Sequence, residues 1–164
     1  MKEKLITFAV PCYNSQDYMQ RCMRSLMAGG EEVEIIVIDD GSTDRTGEIA
    51  DCYAEKYPET VRAVHQKNGG HGAGVNKGLS LAAGEYFKVV DSDDWLDEEA
   101  LKKLLTEIRK RKRQRALADL IICNYLYDHL YEGKQNGWAM RMYFAMEKSV
   151  LGIASGNFIH RSTL

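Results

Sequence analysis

The densest chemistry in this 164-residue chain is Asp91-Ser92-Asp93-Asp94, three carboxylates in four residues directly after the apolar run 86–90 (YFKVV). Carboxylates packed so closely repel one another and raise each other's pKa unless a cation or several hydrogen-bond donors compensate. A hard divalent ion, Mg²⁺ or Mn²⁺, answers that need, because it takes one or two carboxylates together with substrate phosphates and keeps water elsewhere. The competing reading is an Asx turn made by Asp93 and Asp94 ahead of the next helix. The rest of the sequence favours the cation.

A second polar segment, Asp39-Asp40-Gly41-Ser42-Thr43-Asp44, follows the run 33–38 (VEIIVI). Ser42 or Thr43 is expected to cap the helix that contains Ile49 and Tyr53. One of the paired aspartates can serve the turn while its neighbour faces inward, and a carboxylate at a strand end can accept a nucleobase N–H or a ribose hydroxyl. Asp40 is the candidate for that role. A third segment, Pro11, Tyr13 and Asn14, follows the run 5–10 (LITFAV). The fourth, 67–74 (KNGGHGAG), leads into a helix, so its backbone amides could approach a phosphate. It matches neither Gly-x-Gly-x-x-Gly nor a phosphate-binding loop ending in Gly-Lys-Ser/Thr. Lys67, His71 and Lys77 read as surface residues, and His65 and His160 have no assigned role.

These segments need elements to position them. The runs 5–10, 33–38 and 86–90 are too apolar for half-exposed hairpins and suit a buried parallel sheet. Between them, Tyr18, Cys22, Met23, Leu26 and Met27 recur at helical spacing, as do Ile49, Cys52, Tyr53 and Tyr57. A strand over 61–65 and a helix over about 74–83 complete a β-α-β-α-β-α-β series, which implies a Rossmann-like wound, mostly parallel sheet flanked by helices. Ligands of such sheets bind beyond the carboxyl ends of the strands, so the three segments 11–14, 39–44 and 91–94 should line one crevice. Asp97 is the expected N-cap of a further helix, with Glu98 and Glu99 in its first turn and Leu101, Leu104, Leu105 and Ile108 on one face. The basic run 109–115 (RKRKRQR) that ends it reads as a solvated helix terminus; contact with anionic lipid or a lipid-linked acceptor is the alternative and is not expected. A strand over 120–127 follows, and 131–161 reads as irregular, with glycines at 133, 137, 152 and 156.

The length suits one domain over 1–164, and 45% hydrophobic with 28% charged residues supports a packed core. A net charge of -2 gives no general attraction to nucleic acid. Cys12, Cys22, Cys52 and Cys123 form no Cys-x-x-Cys pair, which fits a reducing compartment. The first apolar run is too short for a signal-peptide core and no later run approaches a membrane span, so the expected location is cytoplasmic, including the inner face of the membrane.

Taken in order, 8–14 (FAVPCYN), 36–44 (IVIDDGSTD) and 84–94 (GEYFKVVDSDD) resemble family 2 glycosyltransferases, over about 5–105. The resemblance implies an enzyme of GT-A fold, incomplete here at its C-terminal end, that uses a nucleotide-diphosphate sugar, often a UDP-sugar. It implies transfer to an acceptor hydroxyl with inversion, as in polysaccharide biosynthesis, assisted by Mg²⁺ or Mn²⁺. In that family the residue at Pro11 borders the nucleoside, the aspartate at Asp40 reaches the base, and the Asp-x-Asp acids at Asp91 and Asp93 serve ribose and metal. The implied nucleotide-binding set is therefore Pro11, Tyr13, Asp40, Asp91 and Ser92, with Asp93 and Asp91 on the metal, which neutralises charge on the departing diphosphate. Inversion also needs a general base, which the family supplies from a later segment; none is matched before Leu164, so the chain reads as a truncated form, with 128–164 on the side of a saccharide or lipid-linked acceptor. A second departure is Val75-Asn76, where similar enzymes carry arginine before the asparagine. The alternative is a non-catalytic nucleotide-sugar-binding or regulatory module. A nucleotidyltransferase fits less well, because Pro11-Cys12-Tyr13-Asn14 occupies the place of its Gly-rich loop.

Overall fold

The protein is described from a computed structural model that covers residues 3–122 and, as backbone strands, 124–129, 138–143 and 158–161. Strand β1 (Ile6–Cys12) is buried along its whole length, and β2 (Val33–Asp39) nearly so, which is why both read as continuous apolar runs. With β3 (Val61–His65) and β4 (Tyr86–Val89) they form a parallel sheet in which β1 lies between β2 and β4 and β3 flanks β2. The chain winds outward from β1 through β2 to β3, then returns to add β4 on the other side of β1. That reversal places the topological switch point, where wound sheets bind ligands, at the carboxyl ends of β1 and its neighbours.

Alternation along the strands separates two layers. Ile6, Phe8, Val10 and Cys12 face one side together with Val33, Ile35 and Val37, and there meet Met19, Cys22, Met23 and Leu26 of helix α1 (Met19–Met27). The same core takes Ala50 of α2 (Thr46–Lys56) and Leu101, Leu104, Leu105 and Ile108 of α4 (Glu98–Arg113). On the other side Ala9, Ile36, Ile38 and Phe87 form a smaller core beneath α3 (His71–Leu81). Helix α3 lies unusually close to β1, because a Cβ at Gly78 would sit 2.5 Å from the Ala9 Cβ and one at Gly74 would sit 3.1 Å from the Pro11 Cβ. Two glycines a helical turn apart thus bring the start of α3 up to the end of β1.

Several expectations change at element ends. Helix α3 begins at His71 rather than near residue 74, since Gly70 turns the chain with φ of 83° and its carbonyl accepts the Ala73 and Gly74 amides. The expected strand 120–127 divides between two sheets. Strand β6 (Leu120–Ile122) joins the main sheet through the antiparallel β9 (Phe158–Arg161), whereas β7 (Asn124–His129) pairs with β8 (Trp138–Tyr143). The short β5 (Trp95–Leu96) runs parallel to β8. Strands β8 and β9 therefore correct the irregular reading of 131–161 at 138–143 and 158–161; its other residues lie outside those described. Asp97 caps α4 as expected, its carboxylate accepting the Ala100 amide at 2.8 Å.

Candidate functional site

Four segments meet beyond the strand ends, and contacts between them close a ring. The loop after β1 joins the loop after β2 through the Asn14 amide, which donates to Ser42 Oγ at 3.0 Å. The loop after β2 joins the glycine-rich loop through Asp40, whose carboxylate accepts the Gly69 amide at 2.9 Å and the Gly70 amide at 2.8 Å. That loop reaches the acidic turn, where His71 Nε2 stands 3.8 Å from Asp91 Oδ1. The acidic turn returns to the first loop through the Ser92 and Ser15 hydroxyls, 2.9 Å apart. The expected convergence of the segments after β1, β2 and β4 is thus seen as direct contact, and the glycine-rich loop joins them.

Within the ring the two paired aspartates divide their tasks. Asp39 serves the turn, accepting the Ser42 amide at 3.0 Å through Oδ1, while Oδ2 lies 3.0 Å from His65 Nδ1. Asp40 faces inward, only 4% exposed, and also accepts Gln66 Nε2 at 2.7 Å. Burial raises its carboxyl pKa, but the donors from Gln66, Gly69 and Gly70 prevail and hold it below its ordinary value. Two donors fall on Oδ1 and one on Oδ2, which leaves Oδ2 a second lone pair.

The acidic turn is also differentiated. The Asp94 amide donates to the Asp91 carbonyl at 2.9 Å, closing the turn, and Asp94 itself is buried. Asp91 and Asp93 stay exposed, and the Asp93 carboxylate has no hydrogen-bond partner among the described residues. Ser92 is buried against Ser15 and so supports the turn from beneath. Tyr13 is 51% exposed at the crevice, whereas Pro11 is buried against Gly74.

The capping expectation is corrected. Helix α2 begins at Thr46, and Asp44, not Ser42 or Thr43, accepts the Thr46 amide at 2.9 Å and the Gln16 amide at 3.1 Å. Ser42 and Thr43 are occupied with Asn14 instead. Burial works against the Asp44 charge, but bonds from Thr46 and Gln16 hold its pKa below the ordinary value. His65 also has a role that its sequence position did not reveal: its ring bridges Asp39 and, at 2.9 Å, Asp51, and those two bonds raise its pKa despite partial burial. Asn14 stands in the third polar segment, but Ser15, which closes the ring, and Gln66, which supports Asp40, have nothing in their local sequence to mark them beyond nearness to strand ends. Cys12 is buried, and that burial, reinforced by Asp39, pushes its thiol up to about 12 against bonds with Ser92 and Ser15, which favours the neutral thiol.

Two other surfaces differ from the crevice. A cleft of about 550 Å³ is lined by Arg21, Ser25, Trp95 and Glu98 among others, with the Arg21 guanidinium 3.4 Å from the Trp95 ring centroid. None of its lining residues belongs to the ring. The basic end of α4 is largely neutralised: Arg109 pairs with Glu32, Lys110 and Arg111 with Glu107, and Lys112 with Glu3 and Glu85. No helix among the described residues is long and apolar enough to cross a membrane.

Comparison with known proteins adds a family and a fold. The model of glycosyl transferase family 2 matches residues 7–163. The glycosyltransferase GlyG of Streptococcus pneumoniae is 38% identical over 124 residues, covering 74% of this chain but 39% of GlyG. The poly(ribitol-phosphate) beta-glucosyltransferase of Bacillus spizizenii is 41% identical over 100 residues, 58% of this chain and 16% of that protein. The chain therefore spans well under half the length of these relatives. Among solved structures, S. aureus TarS 1–349 in complex with UDP is 28% identical and superposes with a TM-score of 0.65, covering 80% of this chain and 38% of that one. The same TarS segment has also been solved with UDP-GlcNAc. The mannosyltransferase PcManGT from Pyrobaculum calidifontis, 22% identical with a TM-score of 0.56 over 64% of this chain and 32% of its own, shares the fold.

Proposed function

The chain belongs to glycosyl transferase family 2, and from that premise we propose that its crevice binds a nucleotide-diphosphate sugar, a UDP-sugar, for inverting transfer to an acceptor hydroxyl. The closed ring from Asn14 and Ser42, through Asp40, Gly70, His71 and Asp91, to Ser92 and Ser15 carries this reading. It surrounds the switch point with the groups that a nucleotide needs. The UDP and UDP-GlcNAc complexes of TarS support the donor class. In this reading the protein is one domain, with 5–105 holding the donor and 128–164 on the acceptor side.

Each residue has a task set by its position. The exposed Tyr13 ring stacks on the base, Pro11 borders the nucleoside, and the spare lone pair of Asp40 Oδ2 accepts a base N–H. Asp91 meets the ribose and the metal, Asp93 is the principal metal ligand, and buried Ser92 fixes the turn that carries both. The exposed all-oxygen pair of Asp91 and Asp93 fits Mg²⁺ or Mn²⁺, which when bound neutralises charge on the departing diphosphate. The general base that inversion requires belongs by family resemblance to a later segment, and side chains from residue 123 onward lie outside those described.

Calorimetry with UDP tests this reading. Binding should be tight with Mn²⁺ and weak with chelator, and Asp93→Asn should remove most of that difference. Equal affinity with and without the metal, or an intact metal effect in Asp93→Asn, would overturn the metal assignment; no UDP binding at all would overturn the donor assignment.

A further inference from the structure

Asn14 adopts the left-handed backbone conformation, with φ of 50°, and Arg115 is the other non-glycine residue described there. Side chains resist that region, and asparagine resists it least. Every polar group of its backbone is engaged: the amide donates to Ser42 Oγ at 3.0 Å, and the carbonyl accepts the Tyr18 hydroxyl at 3.4 Å. Its side-chain Oδ1 accepts the Thr43 amide at 2.8 Å and the Thr43 hydroxyl at 3.3 Å. An uncommon conformation held from several directions is a structural constraint that the surroundings maintain.

Its neighbours show what the constraint does. On one side Tyr13 is turned out and half-exposed; on the other Ser15 is turned in, buried against Ser92. The loop continues to be stitched to its neighbour beyond Asn14. The Ser15 amide donates to Thr46 Oγ1 at 2.7 Å, the Gln16 amide to Asp44 Oδ2 at 3.1 Å, and the Arg45 amide to Gln16 Oε1 at 3.1 Å. Residues 13–16 and 42–46 therefore form one wall. That wall also follows directly from Asp40, whose amide donates to the Cys12 carbonyl at 2.9 Å.

We propose that Asn14 is a positioning residue for the nucleoside half of the donor: its clasp on Ser42 and Thr43 holds Tyr13 at the angle at which the ring meets the base. The proposal rests on the reading of the crevice as a nucleotide site. Asn14 touches no part of the ligand in this scheme and acts through Tyr13.

The test separates the nucleoside from the diphosphate. UDP and inorganic pyrophosphate are titrated with Mn²⁺ into the whole chain and its variants. Asn14→Gly keeps the left-handed backbone but loses the side-chain clasp; it should bind UDP about tenfold more weakly and pyrophosphate within twofold of the wild type. Asn14→Asp, which keeps an acceptor for Thr43 and tolerates the same backbone, should stay within about threefold for UDP. In a Tyr13→Ala background, Asn14→Gly should cause no further loss, because the two act as a unit. If Asn14→Gly does not fold, Ser42→Ala carries the same test, with about a threefold selective loss for UDP. Equal weakening of both ligands, unchanged UDP binding in Asn14→Gly, or a full additional loss in the Tyr13→Ala background would overturn the proposal. A wild-type chain that binds no UDP would overturn both this inference and the reading beneath it, whereas a wild type that binds UDP with an indifferent Asn14 would overturn this inference alone.

Discussion

Replacing Asp40 discriminates between holding a loop and reading a base, because the structure gives its carboxylate both opportunities. Three donors converge on it, from Gln66, Gly69 and Gly70, and the residue is 4% exposed. A hydrogen bond to a charged group contributes about 1.5 to 3 kcal/mol, but Gly69 and Gly70 are exposed residues whose part-buried amides water can reach once the carboxylate is gone, so Asp40→Ala should cost about 2 to 4 kcal/mol rather than the sum of three. Asp40→Asn keeps the Oδ1 acceptor for Gln66 and Gly69 and turns an amide donor toward the Gly70 N–H, so about 1 to 2 kcal/mol is expected. The folded-state pKa lies below the ordinary 3.8, so the charge-dependent part of this stability is fully present above about pH 4 and is lost as pH falls through the folded value. Urea denaturation of wild type and Asp40→Asn at pH 7 and again near pH 3 should therefore show a gap that narrows in acid. In the nucleotide assay, loss of the base contact at Oδ2 corresponds to about 10- to 100-fold weaker UDP binding in Asp40→Asn at pH 7. Lowered stability with unchanged UDP affinity would refute base recognition and leave Asp40 as the holder of the glycine-rich loop. A stability loss below about 0.5 kcal/mol in Asp40→Ala would refute the loop-holding argument itself.

Gly78→Ala should destabilise by about 1 to 3 kcal/mol in urea melts, because its Cβ would stand 2.5 Å from the Ala9 Cβ, and this outweighs the roughly 1 kcal/mol that alanine gains in a helix; a stabilised variant would show that α3 shifts freely. His65 has a raised pKa, so its bridging contribution is fully present below 6.5 and is lost as pH rises through the folded value. Its side chain is 47% exposed, so the difference between wild type and His65→Gln should be only a few tenths of a kcal/mol below pH 6.5 and should shrink as pH rises above it; thermal melts at a series of pH values check it. Cosedimentation with vesicles rich in phosphatidylserine at 0.15 M salt should leave the protein in the supernatant, because Arg109, Lys110, Arg111 and Lys112 already face carboxylates; pelleting that depends on Arg113 and Arg115 would contradict this.

The difference between what the sequence announced and what it concealed follows from the range of the interactions. Strands β1, β2 and β4 were legible because burial on both faces demands unbroken apolar runs, and Asp97 was legible because its partner, the Ala100 amide, is three residues away. The first helices followed from periodicity in the same way. By contrast, Asp40 and Gly70 are 30 residues apart, Asn14 and Ser42 are 28 apart, and Ser15 and Ser92 are 77 apart. Serine, asparagine and aspartate after a strand satisfy the local rules for turns and caps equally well whether they close a turn or reach across a crevice. Thr43 shows the cost of judging locally: its hydroxyl suits an N-cap, yet Asn14, brought to it by the pairing of β1 with β2, takes it instead. Strand β8 failed for a different reason. Trp138, Met140 and Met142 alternate with period two, but the glycines before them read as irregularity, and the partner that makes the alternation meaningful, β7, was hidden inside a longer expected strand. The strand order contains the deciding step. Once β4 lies beside β1 and not beside β3, Asp91 is carried to the same end of the sheet as Tyr13 and Asp40, and residues that look like four ordinary turns become one site.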